Sequence, residues 1–262
     1  GGCVEADVRR LAHQHIEDAN GRLATFALDS DFGYDDGMIC GGQMDVAIRP
    51  ISPGDDIESY RSAANTLESQ AATFPVRIAE DGRNVEYRIR VEPAPSLYIA
   101  GAGHISRVLA NATLPIGFDV HVIDDRAEYA NEKRFPPPVH THVGEIAETL
   151  KVQPLDANSY VVIVTRGHKH DEAALEAVLT SLAKYIGMIG SRRKIVVIFD
   201  DLRHRGADAK ALARVHAPIG LDIGAVTTTE IAVSIVAELV KVRRAERHKT
   251  VEGPWPVSSA TT

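Results

Sequence analysis

Long apolar runs, clustered positive charge and cysteine are all scarce in this chain of 262 residues. No run approaches the roughly 20 consecutive apolar residues of a membrane-spanning helix, and the first residues lack the pattern of a signal peptide. Two cysteines, Cys3 and Cys40, are too few for a disulfide framework to organise the fold. We therefore predict a cytoplasmic protein without a membrane partner.

The charge pattern also excludes a class of partner. The net charge of −7 is spread along the chain without a basic block, and basic and aromatic residues do not alternate. Nucleic acid is therefore not an expected partner. The chain begins GGCVEADVRR without a methionine, which predicts a fragment or a processed chain.

The composition divides the chain into two domains and a tail. Residues 1–92 combine helical and strand patterns, including a hairpin around Asp81-Gly82, and predict a smaller α+β domain that is incomplete at its start. After the segment VEPAPS, the apolar runs LYIAG, DVHVIDD, SYVVIVT and KYIGMIG alternate with helical patterns. This alternation predicts a Rossmann-like parallel sheet with helices on both faces over residues 93–248, followed by a flexible tail over 249–262.

A glycine turn follows the first of these runs, in LYIAGAGHIS at 97–106. Gly101 permits a tight turn, and Gly103 lets a phosphate approach the N–H groups at the start of the next helix. Asp124 ends the next strand about 20 residues later, where a carboxylate can bind ribose hydroxyls. The pattern predicts nucleotide binding. Alternatively, the glycines only allow close packing, and Ser106 in place of a third glycine makes ordinary NAD binding less favoured.

Further polar segments adjoin the other strands: TRGHKHD at 165–171, GSRRK at 190–194 and HAPIGLDIGA at 216–225. In open parallel sheets the ligand crevice lies beyond the carboxyl ends of the strands, so these segments should converge. The basic start of a helix at 192–194 suits a phosphate, or is simply a solvated basic face. The expected cofactor contacts are Gly101, Gly103, Asp124, Asp125, Arg166, Gly190, Ser191, Arg192, Arg193 and His216.

Histidines and cysteines are the candidates for chemistry. His104, His168, His170 and His216 can gather near the crevice, where imidazoles bind metal or move protons, or they can be structural. We predict no metal site, because no helical pair of histidines with a carboxylate partner is present. Each cysteine adjoins a glycine pair and is either an activated thiol or a small buried residue. The candidate catalytic residues are Cys3, Cys40, His104 and His168.

These motifs together resemble the XdhC/CoxI family, the accessory proteins of molybdenum hydroxylases of the xanthine dehydrogenase and carbon monoxide dehydrogenase types. The matching segments are GGCVE at 1–5, CGGQMDV at 40–46, GAGHIS at 101–106, the run from YVVIVTRGHKHD to YIGMIGSRRK, and HAPIGLDIGA at 216–225.

The resemblance implies a chaperone more than a turnover enzyme. Family members bind the molybdenum cofactor, as molybdopterin or its cytosine dinucleotide form, assist its sulfuration with a cysteine desulfurase, and deliver it to an apo-hydroxylase. The resemblance implies that Cys3 and Cys40 contact the cofactor or its sulfur, and we expect a homodimer. Family chains usually begin with further strands before the GGC motif.

Two other functions stay open. The first is an NAD(P)-dependent oxidoreductase, in which a histidine such as His168 is the proton donor. The Tyr129 and Lys133 pair matches a dehydrogenase spacing, but we interpret it as chance because it lies in a proline-bearing loop. The second is a nucleotide-sensing regulator without chemistry.

Overall fold

The structure is a computed structural model that describes residues 3–16, 22–27, 43–51, 57–67, 72–80 and 83–245. The chain divides into two compact units, Gly1–Pro93 and Ala94–Thr262. Cys40 and the predicted flexible tail lie outside the described residues, as does the side chain of Cys3. Among the helices that the structure describes, not one is both long enough and apolar enough to cross a membrane.

The N-terminal unit is built from two antiparallel strand pairs and two helices. Strand β1 pairs with β2, and β3 pairs with β4 as the hairpin that the sequence predicts around Asp81-Gly82. The bounds are α1 Cys3–Gln14, β1 Arg22–Ala27, β2 Gln43–Ile48, α2 Glu58–Thr66, β3 Ala72–Glu80 and β4 Arg83–Val91.

The C-terminal unit contains a six-stranded, wholly parallel sheet with the strand order β10-β9-β8-β5-β6-β7. The predicted fold class, a Rossmann-like parallel sheet beside a smaller α+β part, is confirmed. The bounds are β5 Ser96–Ala100, α3 His104–Thr113, β6 Asp119–Asp124, β7 His140–Val143, α4 Ile146–Lys151, β8 Ser159–Ile163, α5 His168–Val178, β9 Tyr185–Met188, α6 Arg192–His204, α7 Ala209–Ala213, β10 Val215–His216 and α8 Thr228–Arg244.

Helices cover both faces of this sheet. Because successive side chains along a strand point to opposite faces, each strand contributes residues to two separate hydrophobic cores. Leu97 and Ile99 of β5 pack in the core that includes Leu239 of α8, whereas Tyr98 packs in the core that includes Leu175 of α5. Every residue of β8 is buried, as expected for a central strand that is covered on both sides.

The four predicted apolar runs form the contiguous strands β9-β8-β5-β6, and the sequence missed β7 and β10 at the two edges. Both missed strands are short. The sequence of β7, HTHV, is polar because an edge strand need not be apolar. The direction in which successive strands are added to the sheet reverses between β5 and β8: β6 and β7 lie on one side of β5, and β8, β9 and β10 lie on the other. In such sheets the crevice lies outside the carboxyl ends of the strands at this reversal.

Candidate functional site

The turn between β5 and α3 requires glycine at its first position. Gly101 has φ +103°, and a methyl group there would lie 2.7 Å from the Val164 carbonyl oxygen at the end of β8. Gly103 differs, because its backbone is extended and no described atom lies within 4 Å of the position a methyl group would take. The turn is thus packed against the sheet at Gly101 and open at Gly103.

The N-terminus of α3 lies at this open position, and no side chain that the structure describes caps it. Positive charge lies close by, since Arg134 donates a hydrogen bond to the Ala102 carbonyl over 3.1 Å, and its guanidinium lies over the Tyr129 ring. Two buried polar atoms here have no partner among the described residues, the hydroxyl of Ser106 and Nε of Arg134. The uncapped N–H groups and the nearby guanidinium favour an anion.

Asp124 turns its carboxylate into the glycine turn. It accepts hydrogen bonds from the Ala102 N–H at 2.8 Å and from the Arg126 backbone at 3.1 Å, and it pairs with the Arg126 guanidinium at 2.8 and 3.0 Å. Burial acts to raise the pKa of Asp124, but the hydrogen bonds from Arg126 and Ala102 outweigh it and hold the pKa below its usual value. All four acceptor positions of the carboxylate are therefore engaged within the protein.

A bidentate ion pair links the loops that follow β6 and β8. Arg166 donates to Asp125 over 3.1 and 2.8 Å, and both side chains are partly exposed. Because β5 lies between β6 and β8 in the sheet, this pair joins the loops on either side of the glycine turn. Asp125 and Arg166 are thus brought together, and both are more accessible than Asp124.

A second buried acid fixes the loop after β8 to α6. Asp171 is fully buried and accepts hydrogen bonds from the Thr165 N–H at 3.1 Å and the Thr165 hydroxyl at 2.7 Å. Lys194 completes the environment by pairing with the other carboxylate oxygen. Lys194 is therefore a structural cation, although the sequence grouped it with two arginines as an anion contact.

Arg192 and Arg193 occupy the first two positions of α6, behind the N-cap Ser191. Both side chains are exposed, and neither guanidinium forms a hydrogen bond or ion pair with any residue that the structure describes. The positive end of the helix dipole repels a cation at this position. An anion bound beside both guanidiniums would relieve that repulsion.

A cavity of about 530 Å³ opens at the start of α6. Gly190, Ser191 and Arg192 line one side, and the loop 218–225 and α8 line the other. Asp222 also lies on the wall, so the lining carries both signs of charge. The cavity is large enough for part of a nucleotide-sized ligand.

His216 lies on β10, outside the lining of this cavity, in a network centred on Glu238 of α8. Glu238 accepts hydrogen bonds from the Tyr185 hydroxyl at 2.5 Å and the Gly220 N–H at 2.8 Å, and its other oxygen lies 3.0 Å from Nδ1 of His216. Burial acts to raise the pKa of Glu238, but these hydrogen bonds hold it below its usual value. The network anchors the loop that forms one cavity wall and orients the His216 ring.

The structure brings most of the predicted contacts to one edge of the sheet. Gly103, Asp124, Arg166 and Ser191 each end or follow one of the four adjacent strands β5, β6, β8 and β9. No hydrogen bond or ring contact among the described residues joins any two of His104, His168, His170 and His216, and their gathering near the crevice stays a prediction. His104 and His168 are exposed at the first positions of α3 and α5, and His168 lies 3.7 Å from Glu172.

Sequence reasoning missed the residues that hold the site in place: Asp171, Arg134, Tyr185 and Glu238. One signal was available for Glu238, since it is a carboxylate within the apolar pattern of IAVSIVAELV. An acid at such a position needs donors around it. Neither Asp171 nor Arg134 carries a comparable signal, because each has a partner distant along the chain, Lys194 for Asp171 and the Ala102 carbonyl for Arg134.

The sequence that forms this site matches a known protein family. A sequence profile of the XdhC Rossmann domain matches residues 97–239. The chain belongs to the XdhC family. The resemblance to XdhC/CoxI proteins that the motifs predict is thereby confirmed, and the match contains the glycine turn, the four central strands and the cavity.

Three relatives of this XdhC protein cover different shares of its length. YqeB of Escherichia coli K12 is 35% identical over 153 residues, which are 57% of this chain and 27% of YqeB. A probable xanthine dehydrogenase subunit of Bacillus subtilis 168 is 30% identical over 158 residues, 59% of this chain and 45% of the relative. The molybdenum cofactor insertion chaperone PaoD of Escherichia coli K12 is 20% identical over 269 residues, 99% of this chain and 77% of PaoD. The chain thus spans less than half the length of the first two.

A solved structure shares the fold. The crystal structure of a xanthine dehydrogenase from Bacillus halodurans superposes with a TM-score of 0.77 at 22% identity, covering 97% of this chain and 84% of the other. At this identity the likeness extends to the fold alone.

Proposed function

We propose that this XdhC protein is an accessory protein of a molybdenum hydroxylase of the xanthine dehydrogenase type, and that it binds the molybdenum cofactor. The observation that carries the proposal is the pair of exposed guanidiniums, Arg192 and Arg193, at a helix N-terminus beside a cavity. The names of PaoD and of the Bacillus subtilis relative support the same class of function.

The shape of the site suits an elongated ligand that carries phosphate. The glycine turn after β5 and the cavity after β9 are separated by β8, so they lie about 10 Å apart across two strand spacings. The start of α3, open at Gly103, offers one anion site, and the start of α6 offers the other. We infer that a cytosine dinucleotide form of molybdopterin would span both, whereas molybdopterin itself would need one.

The finer steps are proposals drawn from the family resemblance. We propose that the protein assists sulfuration of the cofactor with a cysteine desulfurase, delivers it to the apo-hydroxylase, and acts in the cytoplasm as a homodimer. The bound cofactor supplies the molybdenum and sulfur chemistry. The side chains of Cys3 and Cys40 are proposed to contact its sulfur, and His104 and His168 to move protons nearby.

The proposal is tested by the double variant Arg192→Ala/Arg193→Ala. Removing both guanidiniums eliminates up to two charge-assisted contacts of about 1.5–3 kcal/mol each, so affinity for molybdopterin should fall at least tenfold. The measurement is quenching of pterin fluorescence on titration of the protein. Arg203→Ala/Lys210→Ala is the matched control, because it removes the same charge from the far end of α6 and from α7.

The control should bind molybdopterin as the unmodified protein does. Equal affinity of the Arg192 and Arg193 variant and the unmodified protein would contradict the assignment of this helix start. Equal loss in both double variants would mean that only net charge matters, and it would contradict the site as well.

An NAD(P)-dependent oxidoreductase is the alternative, and one observation favours it. The carboxylate of Glu238 holds Nδ1 of His216, which leaves the other ring nitrogen available as an acid or base. Asp124 does not distinguish the two functions, because it has no acceptor position left for a ribose, whether that of NAD or that of the cytosine dinucleotide form. Oxidation of NADH with a small carbonyl substrate, abolished by His216→Gln, would favour the oxidoreductase.

A further inference from the structure

A cluster of three histidines and one aspartate lies on β6 and the edge strand β7. Asp119 contacts two of them, Nε2 of His121 at 3.1 Å through one oxygen and Nε2 of His140 at 3.2 Å through the other. The rings of His121 and His140 stack with centroids 4.7 Å apart. The ligand atoms of these three residues all lie within 4.8 Å of one another.

The cluster is separate from the cofactor site. Asp119 and His140 are the first residues of their strands, and His121 lies about 10 Å before the carboxyl end of β6. The cavity at α6 lies three strand spacings away, about 14 Å across the sheet. The cluster thus has its own position near the amino ends of the outer strands.

The chemistry of these donors matches a transition metal of the zinc class. Two imidazole nitrogens and a carboxylate are a common zinc set, and metal-to-ligand bonds of 2.0–2.1 Å place tetrahedral ligands about 3.3 Å apart. Each Asp119 oxygen lies at close to that separation from one imidazole nitrogen, Oδ2 from Nε2 of His121 and Oδ1 from Nε2 of His140. The side chains of His140 and Asp119 are 57% and 42% exposed, so a water molecule can supply a fourth ligand.

A second layer of contacts holds His121 in position. Its Nδ1 lies 3.1 Å from Nε2 of His142, and its ring stacks on Tyr98 at 4.8 Å. If Nδ1 donates its proton to His142, the lone pair on Nε2 points toward Asp119, which is the arrangement that orients metal-binding histidines.

We propose that Asp119, His121 and His140 bind a divalent transition-metal ion such as Zn²⁺, with His142 as a positioning residue. The sequence predicts no metal site, because its criterion was a helical pair of histidines. These ligands come from two parallel strands instead, and their proximity depends on the register that places His121 opposite His140.

Another group of described residues has a comparable spacing, namely His168, Glu172 and Asp201. It is the weaker candidate because Arg205 already pairs with Glu172 and places a positive charge beside this group. This group therefore provides a control.

The test is a Zn²⁺ titration of the full chain, without an affinity tag and after removal of metal, in competition with a chromogenic chelator. We expect the chain to bind one equivalent of Zn²⁺. The His168→Gln variant should bind the same amount with the same affinity. His140→Gln should weaken this binding about 100-fold or more, because it removes a ligand. His142→Gln should weaken it about 10- to 100-fold, as expected for an outer-layer partner.

Controls separate loss of metal from loss of fold and from binding by thiols. His140 is exposed, so its variant should keep the circular dichroism spectrum and the metal-free melting temperature of the unmodified protein. Alkylation of Cys3 and Cys40 should leave the binding intact. Absence of stoichiometric Zn²⁺ binding, equal affinity in His140→Gln, or loss of binding in His168→Gln or after alkylation would each overturn the proposal.

Discussion

Replacing Gly103 with alanine should separate ligand binding from folding at the glycine turn. Gly103 has φ −76° and ψ −163°, a conformation open to any residue, and a methyl group there meets no described atom within 4 Å. Alanine at an N-cap costs roughly 0.5–1 kcal/mol relative to glycine, while the restricted unfolded chain returns about 0.4–1 kcal/mol. The free energy of unfolding should therefore change by less than about 1 kcal/mol.

The same methyl group should interfere with a bound anion, because it projects into the space through which a phosphate approaches the start of α3. Losing one hydrogen bond to a charged phosphate is worth about 1.5–3 kcal/mol, so affinity for the dinucleotide cofactor should fall roughly 10- to 100-fold. Gly101→Ala is the matched comparison. Its φ of +103° costs about 1–3 kcal/mol for alanine, and the close approach to the Val164 carbonyl adds about 1–3 kcal/mol.

Urea unfolding and cofactor titration together decide the outcome. We expect Gly103→Ala to fold normally and bind weakly, and Gly101→Ala to lose about 2–6 kcal/mol of stability. Undiminished affinity of Gly103→Ala for the dinucleotide form would refute the idea that phosphate binds at this turn. Destabilisation of Gly103→Ala by several kcal/mol would refute the account of the local geometry.

Two further predictions concern the surrounding network. Glu238→Ala should destabilise the protein by roughly 2–4 kcal/mol in urea unfolding, because the Tyr185 hydroxyl and the Gly220 N–H both lose their acceptor, whereas Glu238→Gln should cost less. Because folding lowers the pKa of Glu238, its stabilising effect is present above the ordinary value of 4.5 and is lost as pH falls through the folded-state pKa. Glu238→Gln should therefore reduce the loss of unfolding free energy on acidification. The same pH dependence of the unfolding free energy in this variant and in the unmodified protein would contradict the prediction. Arg166→Ala should change stability by less than about 1 kcal/mol, since its pair with Asp125 is partly exposed, yet lower cofactor affinity about tenfold; unchanged affinity would make the pair purely structural.

The fold was predictable where burial dictates sequence. The four central strands are apolar runs because both faces of each strand are covered, and the glycine turn is visible because only glycine fits between β5 and the end of β8. The edge strands β7 and β10 escaped prediction for the converse reason. Neither needs an apolar sequence, and both are defined by pairing with a neighbour that is distant along the chain.

The candidate site was predictable only as a set of loops at one edge. Sequence placed Arg192, Arg193 and Lys194 together, but it could not show that Lys194 is paired with Asp171, because that aspartate comes from another helix. It likewise could not show that Asp124 is fully engaged by Arg126 and Ala102. Partners across loops are set by strand order, which no local pattern contains. The contacts to a cofactor at Gly103, Arg166 and Arg192 stay predictions until binding is measured.

The charges at the start of α6 connect stability to function. Each cation near a helix N-terminus opposes the dipole by about 0.3–1 kcal/mol, and of the three cations here only Lys194 has a carboxylate partner within the described part of the chain. Removing Arg192 and Arg193 should therefore stabilise the ligand-free protein by about 0.6–2 kcal/mol while weakening cofactor binding. These opposite signs distinguish a binding site from a solvated basic face, since charges that serve only solubility would give no change in binding. A double variant that is both less stable and equally able to bind would show that the two guanidiniums have a structural role instead.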